Sequence, residues 1–390
     1  MNPSASGWIK KLLKVVSEDD AFVSLPVKTF YSELKKSGFI YGSNVAVVNN
    51  AVEKGDLTDE ELSKVNLLLT FYYFYKQKPN QEKFVDSVVS FYSFINKSKT
   101  SIFDSLLGKK KSSALLEDII NKRVHIDDNI FTKNFNYFIT NALLFVDVLA
   151  YQKFIRTHKV SETYLQQFEA VIETIAIEVF ESKHEKSKYD DSLIRLFEAS
   201  KRYNSKSSLT YKGAVLSVKQ PLEKQYLVDI ACMASWSDKV IDKEELDFLI
   251  KLSNDLHLND SIFKQSIADV NTFYTVNENN IALLGSKNMV QSFYDNSSKM
   301  VSKLISRNSK RLLKELRESK ELMVLLKQST YRELTDDEKR DMQDQLLDIF
   351  KSIPSLAIFM LPGGAILLPL FVKFIPKMLP SAFDENRIED

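Results

Sequence analysis

Residues 57–77 read LTDEELSKVNLLLTFYYFYKQ. Thr58 and Glu61 have the spacing of a capping box, in which a hydroxyl and a carboxylate take up amide groups that the first helical turn leaves without partners. An apolar run follows at once, so the spacing predicts a long helix starting at Thr58. The same signature recurs at Asp242 with Glu245 and at Thr335 with Glu338. The matching LTDEE and LTDDE are two such boxes and imply no longer repeat.

Outward from this stretch, apolar residues return every three or four positions almost everywhere. EKFVDSVVSFYSFINKS follows as a second helix, and GKKKSS at 108–113 reads as an exposed connection. Residues 131–157 and 161–183 read as two more long helices, with many phenylalanines and tyrosines on their apolar faces. Those aromatics indicate a bundle core rather than a cofactor box. The chain has 9 glycines and 9 prolines in 390 residues, and five of the prolines lie at Pro354, Pro362, Pro369, Pro376 and Pro380. The first 350 residues are thus nearly free of breakers, which favours helices over a turn-rich β fold. The expected class is all-α: a multi-helix bundle, a central helical module and a C-terminal proline-kinked apolar segment.

Hydrophobic residues make up 44% and charged residues 27% of the chain, enough for a large core. Lys and Arg number 53 against 52 Asp and Glu, a net charge of +1, so the whole-chain field makes no case for nucleic acid or an acidic partner. The single cysteine, Cys232, lies in an apolar helical stretch and reads as core. The four histidines have no ligand spacing. No phosphate-binding glycine loop, nucleophile elbow or HExxH motif is present, so no enzyme is expected. SGWIKKLLKVV at the N-terminus carries lysines through its apolar part and does not read as a secretory signal.

Four parts are expected along the chain. They are an N-terminal helical domain at 1–205, a helical module at 206–285, long charged connecting helices at 286–351, and a hydrophobic membrane segment with its tail at 352–390. The connecting part reads as a long charged helix from about Ser286 to Gln328, whose alternating Lys/Arg and Glu mark a solvated face.

Ile353 to Val372 contains no charged residue, and as a helix it would be about 30 Å long, the thickness of a bilayer's hydrocarbon core. Yet Pro354, Pro362 and Pro369 lie in it, and Gly363-Gly364 weakens its middle. Pro362, Pro369 and Pro376 are seven apart, so on one helix they would share a face and free the carbonyls of Ile358, Ala365 and Val372. Such carbonyls need partners in lipid. A kinked helix packed on its own chain, a helix in an oligomer, or a hairpin turning at Pro362-Gly363-Gly364 would each supply them. Lys373 follows the uncharged run.

YRELTDDEKRDMQDQLLDIFKSIPSLAIFMLPGGAILLPLFVKFIPKMLPSAF, at 331–383, resembles the membrane-segment motif of the Letm family. The resemblance is carried by the apolar run with Pro362, the LLP ending at Pro369, the FIP ending at Pro376, and MLPSAF with Pro380. It implies a segment that spans or enters a membrane, in a family tied to cation/proton exchange and ribosome binding. Because the chain stops at Asp390, the family's large ribosome-binding-like domain is not expected, and no EF-hand is expected because no loop of that pattern occurs in the sequence. The overall layout resembles a group of Letm-related, biofilm-associated bacterial proteins. That resemblance implies a bacterial inner-membrane location with the bulk of the chain cytoplasmic, and a role in envelope ion homeostasis or surface growth. Its implied partners are membrane lipid and a second copy through the C-terminal segment, with no nucleic acid. The alternatives are an oligomeric cation/proton transporter subunit and a soluble scaffold with a buried C-terminal hairpin.

LVDIACMASWSDKVIDKEELDFLIKL, at 227–252, resembles the core of the TerB-like helical domain, whose acidic turn can bind a metal. Asp238, Asp242 and Glu245 match its carboxylates, while Lys239 replaces the usual glycine. A divalent cation is the one cofactor this resemblance implies; otherwise Asp242 and Glu245 simply cap a helix. The first helix places Trp8, Ile9, Leu12, Leu13 and Val16 opposite Lys10, Lys11 and Lys14. That pattern fits either a helix lying on an anionic membrane or one docked on the bundle by Trp8.

Overall fold

The computed structural model describes residues 2–49, 57–78, 82–95, 112–124, 142–184, 209–236, 241–277, 301–353 and 367–378, with single-residue gaps, plus residues 52, 186, 194, 297, 298, 356 and 359. Among the described residues the fold is all-α, as the breaker-poor sequence predicts. The helices are α1 (Trp8–Glu18), α2 (Val27–Lys36), α3 (Asp59–Gln77), α4 (Phe84–Ile95), α5 (Ser112–Val124), α6 (Leu144–Thr157), α7 (Tyr164–Ser182), α8 (Tyr211–Ser217), α9 (Pro221–Ser235), α10 (Lys243–Asp255), α11 (Asp260–Asn277), α12 (Ser309–Glu318), α13 (Lys320–Gln328), α14 (Asp336–Ser352) and α15 (Leu368–Met378). The three capping boxes open α3, α10 and α14, with both reciprocal bonds formed in each.

α3 is the centre of the N-terminal part. Every residue from Leu62 to Phe74 is buried, because α4, α5 and α6 and the 3-10 turn Ala21–Ser24 surround it. Its aromatics interlock with those neighbours: Phe30 stacks on Tyr73 with centroids 3.7 Å apart, and Phe71 meets Tyr151 edge-on at 5.0 Å. The polar residues on this buried helix have partners, as burial demands. Asn66 Nδ2 donates to Asn44 Oδ1 (2.7 Å) and Ala46 O (2.9 Å), while Val48 N donates to Asn66 Oδ1 (2.9 Å). These bonds lash the loop after α2 onto α3. The loop turns at Gly38, where φ is +84° and an added Cβ would lie 1.9 Å from Ser43 O; only glycine fits.

α7, α8, α9, α10 and α11 pack on one another, and α11 also meets α2. Buried residues of these helices, of α1–α6 and of the helices after α11 form one continuous apolar cluster. The charged connecting region departs from a single helix. Ser319, at φ −115° and ψ 84°, separates α12 from α13, and its hydroxyl accepts from Leu322 N at 3.4 Å to cap α13. A serine competes for backbone partners and so favours a helix start. Most of 286–300, the start of the expected long helix, and GKKK at 108–111 lie outside the described residues.

α13 packs against both α14 and α15. α14 buries Met342, Leu346, Ile349 and Phe350, spaced as one helical face. α15 is 11 residues, about 16 Å long, far short of a bilayer's hydrocarbon core. No helix among the described residues is long and apolar enough to cross a membrane, and most of the expected span at 353–372 lies outside those residues. Of the three prolines expected on one face, Pro369 and Pro376 sit on α15, and Pro362 lies outside the described residues. Pro369 occupies the first turn, where a missing N–H costs nothing. Pro376 lies near the other end, where Val372 loses its usual donor.

Candidate functional site

Three places gather chemistry: the apolar C-terminal unit, the expected acidic turn, and a buried charge cluster that joins α2, α9 and α11.

In the C-terminal unit, Phe350 of α14 and Phe371 of α15 meet edge-on at 5.1 Å, and Phe359 stacks on Phe350 at 4.8 Å and meets Phe371 at 5.1 Å. Leu368, Leu370, Phe371, Val372 and Ile375 are buried, whereas Lys373 is exposed and Pro369 and Pro376 are half-buried. α15 therefore packs on its own chain, one of the three arrangements open to the sequence. Pro354, Pro362, Gly363, Gly364 and Pro380 lie outside the described residues. At the head of α14, Arg332 Nη1 and Nη2 reach Glu338 Oε2 (2.8 Å) and Oε1 (2.6 Å). With Thr335 N also donating to Glu338, the carboxyl is held down at about 2. Ser319 Oγ donates to Gln345 Oε1 (2.5 Å), and Ser352 Oγ donates to Glu315 Oε1 (3.2 Å). The last two bonds tie the middle of α14 to Ser319 and its C-terminal end to α12.

At the acidic turn, Asp242 Oδ1 accepts from Glu245 N (2.7 Å) and Oδ2 accepts from His184 N (3.2 Å). Glu245 Oε2 accepts from Asp242 N (3.0 Å), and its Oε1 faces Lys183 Nζ at 3.9 Å. These oxygens cap α10 and join it to the end of α7. Asp238 lies outside the described residues, and no group of three metal-ligating side chains occurs among those described.

Trp8, Ile9, Leu12 and Val16 are buried, with α1 packed on α5. Glu117 of α5 accepts from Gly7 N (2.9 Å) and Ile9 N (3.2 Å), so a carboxylate from the bundle seats the positive end of α1. Lys10, Lys11 and Lys14 face outward. The apolar face that a membrane-surface helix would need is covered by the bundle, which corrects that reading.

The buried cluster was missed by motif reading. Lys35 of α2 is 3% exposed and pairs with Asp229 Oδ1 of α9 at 3.6 Å and with Asp269 of α11. Tyr31 Oη donates to Asp229 Oδ2 at 2.8 Å. Burial pushes the Asp229 carboxyl above its ordinary range, against the pull of Lys35, and burial also raises the Tyr31 phenol and the Cys232 thiol. A second buried pair stands between α5 and α6. Arg123 Nε and Nη2 donate to Asp147 at 2.7 and 2.5 Å, and Tyr92 Oη donates to the same carboxylate at 2.8 Å. The available signal was a lone acid inside an apolar run, FVDVLAY for Asp147 and LVDIACM for Asp229. Such an acid implies a buried cationic partner.

Residues 334–390 match the family model described as LETM1-like, RBD. That range takes in α14 with its capping box, α15 and the aromatic triad. The C-terminal unit is therefore Letm-like, as its LLP and FIP motifs indicate. The description of that model carries the term RBD, which corrects the expectation that no part of the family's RBD-type region is matched in this chain. A stretch of 53 residues is 42% identical to a "Mitochondrial proton/calcium exchanger protein" of Drosophila melanogaster, covering 14% of this chain and 5% of that protein. No solved structure matches the chain.

Proposed function

We propose that the chain is a non-catalytic, Letm-related protein that works at a membrane through its 334–390 unit. Its place is the bacterial inner membrane, with the α1–α11 bundle on the cytoplasmic side, and its role lies in envelope ion homeostasis or surface-associated growth. The observation that carries this reading is the match of 334–390 to the LETM1-like model. Asp242 Oδ1 and Glu245 Oε2, which the acidic-turn reading would give to a metal, cap α10. Lipid is the expected partner, with self-association through the C-terminal segment.

Fractionation without detergent tests the reading. Wild type should sediment with membranes, and a chain lacking 353–383 should stay soluble and folded. If wild type is wholly soluble and the deletion unfolds, α15 is core alone and the protein is a scaffold, a reading that the burial of Phe371 and Ile375 favours. A second reading, an oligomeric cation/proton exchanger subunit, is favoured by the name of the matched relative. It requires cation-dependent proton flux in liposomes that is lost in the Pro362→Ala/Pro369→Ala variant. Absence of flux in an inserted sample removes it.

A further inference from the structure

α12 carries a second surface that the 334–390 match does not reach. Its sequence SKRLLKELRE turns Leu312 and Leu316 inward, both fully buried. At about 100° per residue, Lys310, Lys314 and Arg317 lie on the opposite side, with Arg311 beside them. All four are exposed, and Arg307 is exposed one turn earlier. Glu318, 4.0 Å from Lys314, is the one acid of α12 on this arc. Glu315, the other acid of α12, is turned toward α14, where it accepts from Ser352 Oγ.

That last bond sets where the stripe lies. Ser352 is the final residue of α14, directly before the uncharged run that starts at Ile353. The basic face of α12 is thus fastened beside the point where the apolar segment begins. A membrane has its anionic headgroups at that level, immediately outside the hydrocarbon, and basic clusters next to an apolar segment are drawn to them. Lys373 and Lys377, exposed on α15, are the next cations along the chain after the run.

We propose that the Lys310–Arg311–Lys314–Arg317 face of α12 binds the headgroups of anionic phospholipids and sets the C-terminal unit against the membrane surface. The proposal rests on the membrane reading above. An ordinary solvated face would show no lipid selectivity, and a nucleic-acid face would prefer a polyanionic strand.

The test is vesicle flotation of the full chain with phosphatidylcholine alone and with about 30% phosphatidylglycerol, using wild type, K310E/R311E/K314E/R317E, and K10E/K11E/K14E as a control of similar charge change on the exposed side of α1. Circular dichroism confirms that each chain is folded. The expected result is at least a tenfold preference of wild type for anionic vesicles. The α12 variant should lose it, the α1 variant should keep it within twofold, and added salt should weaken it. Equal binding of wild type to both vesicles overturns the stripe and leaves the membrane reading intact. Loss of the preference in both variants reduces it to net charge and also overturns the proposal. Stripe-dependent binding of a polyuridylate probe without vesicle binding assigns the face to nucleic acid instead. Failure to bind either vesicle removes the membrane reading itself.

Discussion

The bundle of α1–α11 and the unit of α12–α15 handle charge in opposite ways. In the bundle, Arg123, Asp147, Lys35 and Asp229 are at most 4% exposed, and they join helices distant in sequence. Among the described residues of the C-terminal unit the ion pairs lie outside: Arg332–Glu338 is 43% and 28% exposed, and Lys351–Asp348 is 36% and 75% exposed. What holds that unit together is apolar, chiefly Phe350, Phe359, Phe371 and the leucines of α13 and α14. Buried pairs fix which helix meets which, since a wrong pairing strands a charge. Exposed pairs are screened and nearly neutral in energy, so their surface stays free for a partner.

The sharpest way to break this contrast is Asp147→Ala. It leaves the Arg123 guanidinium buried without its bidentate partner, and the expected loss is about 3–5 kcal/mol in urea denaturation. A loss below about 1 kcal/mol would mean that water reaches the site and that the inside/outside distinction fails there. Phe371→Ala is the matching probe of the other unit. It removes the ring shared with Phe350 and Phe359, with an expected cost of about 3 kcal/mol. No cost would show that α15 does not pack on its own chain.

The element pattern was largely legible in sequence. Capping boxes at Thr58, Asp242 and Thr335 marked helix starts because the box is a local interaction, complete within four residues. Trp8 and the lysines of α1 left two readings open, since an amphipathic pattern looks the same whether protein or lipid covers the apolar side. The covering group is Glu117 with its neighbours on α5, more than a hundred positions away. The Lys35–Asp229–Asp269 cluster was invisible for the same reason: its members come from three helices, and only the lone Asp in LVDIACM hinted at it. The break at Ser319 was missed because periodicity runs unbroken through it; the serine's non-helical backbone and its capping bond to Leu322 N reveal it. The Letm-like motif was legible because prolines at fixed spacing are local, yet the packing of Phe371 on Phe350 was not.

Acid titration sharpens the contrast further, because the two regions should respond with opposite sign. Asp229 has a folded pKa above its unfolded value, so between them the native state holds more protons. Its contribution to stability is fully present below the unfolded pKa, near 4, and is lost as pH rises through the raised folded value. Asp229→Asn should abolish that component in chemical denaturation followed across pH; an unchanged profile would assign it elsewhere.

Glu338 runs the other way. Its pKa is lowered from 4.5 to about 2, so its contribution is present above 4.5 and disappears as pH falls toward 2. The effect on the C-terminal unit is small, because the pair is solvent-exposed. Thr335→Ala gives the same surface cap an independent measure. It removes the hydroxyl that accepts from Glu338 N at 3.3 Å, leaves Arg332–Glu338 in place, and should cost about 1 kcal/mol at neutral pH. If Thr335→Ala instead costs as much as Asp147→Ala, the head of α14 is no loose surface cap. The C-terminal unit would then be specified by polar contacts as strictly as the bundle.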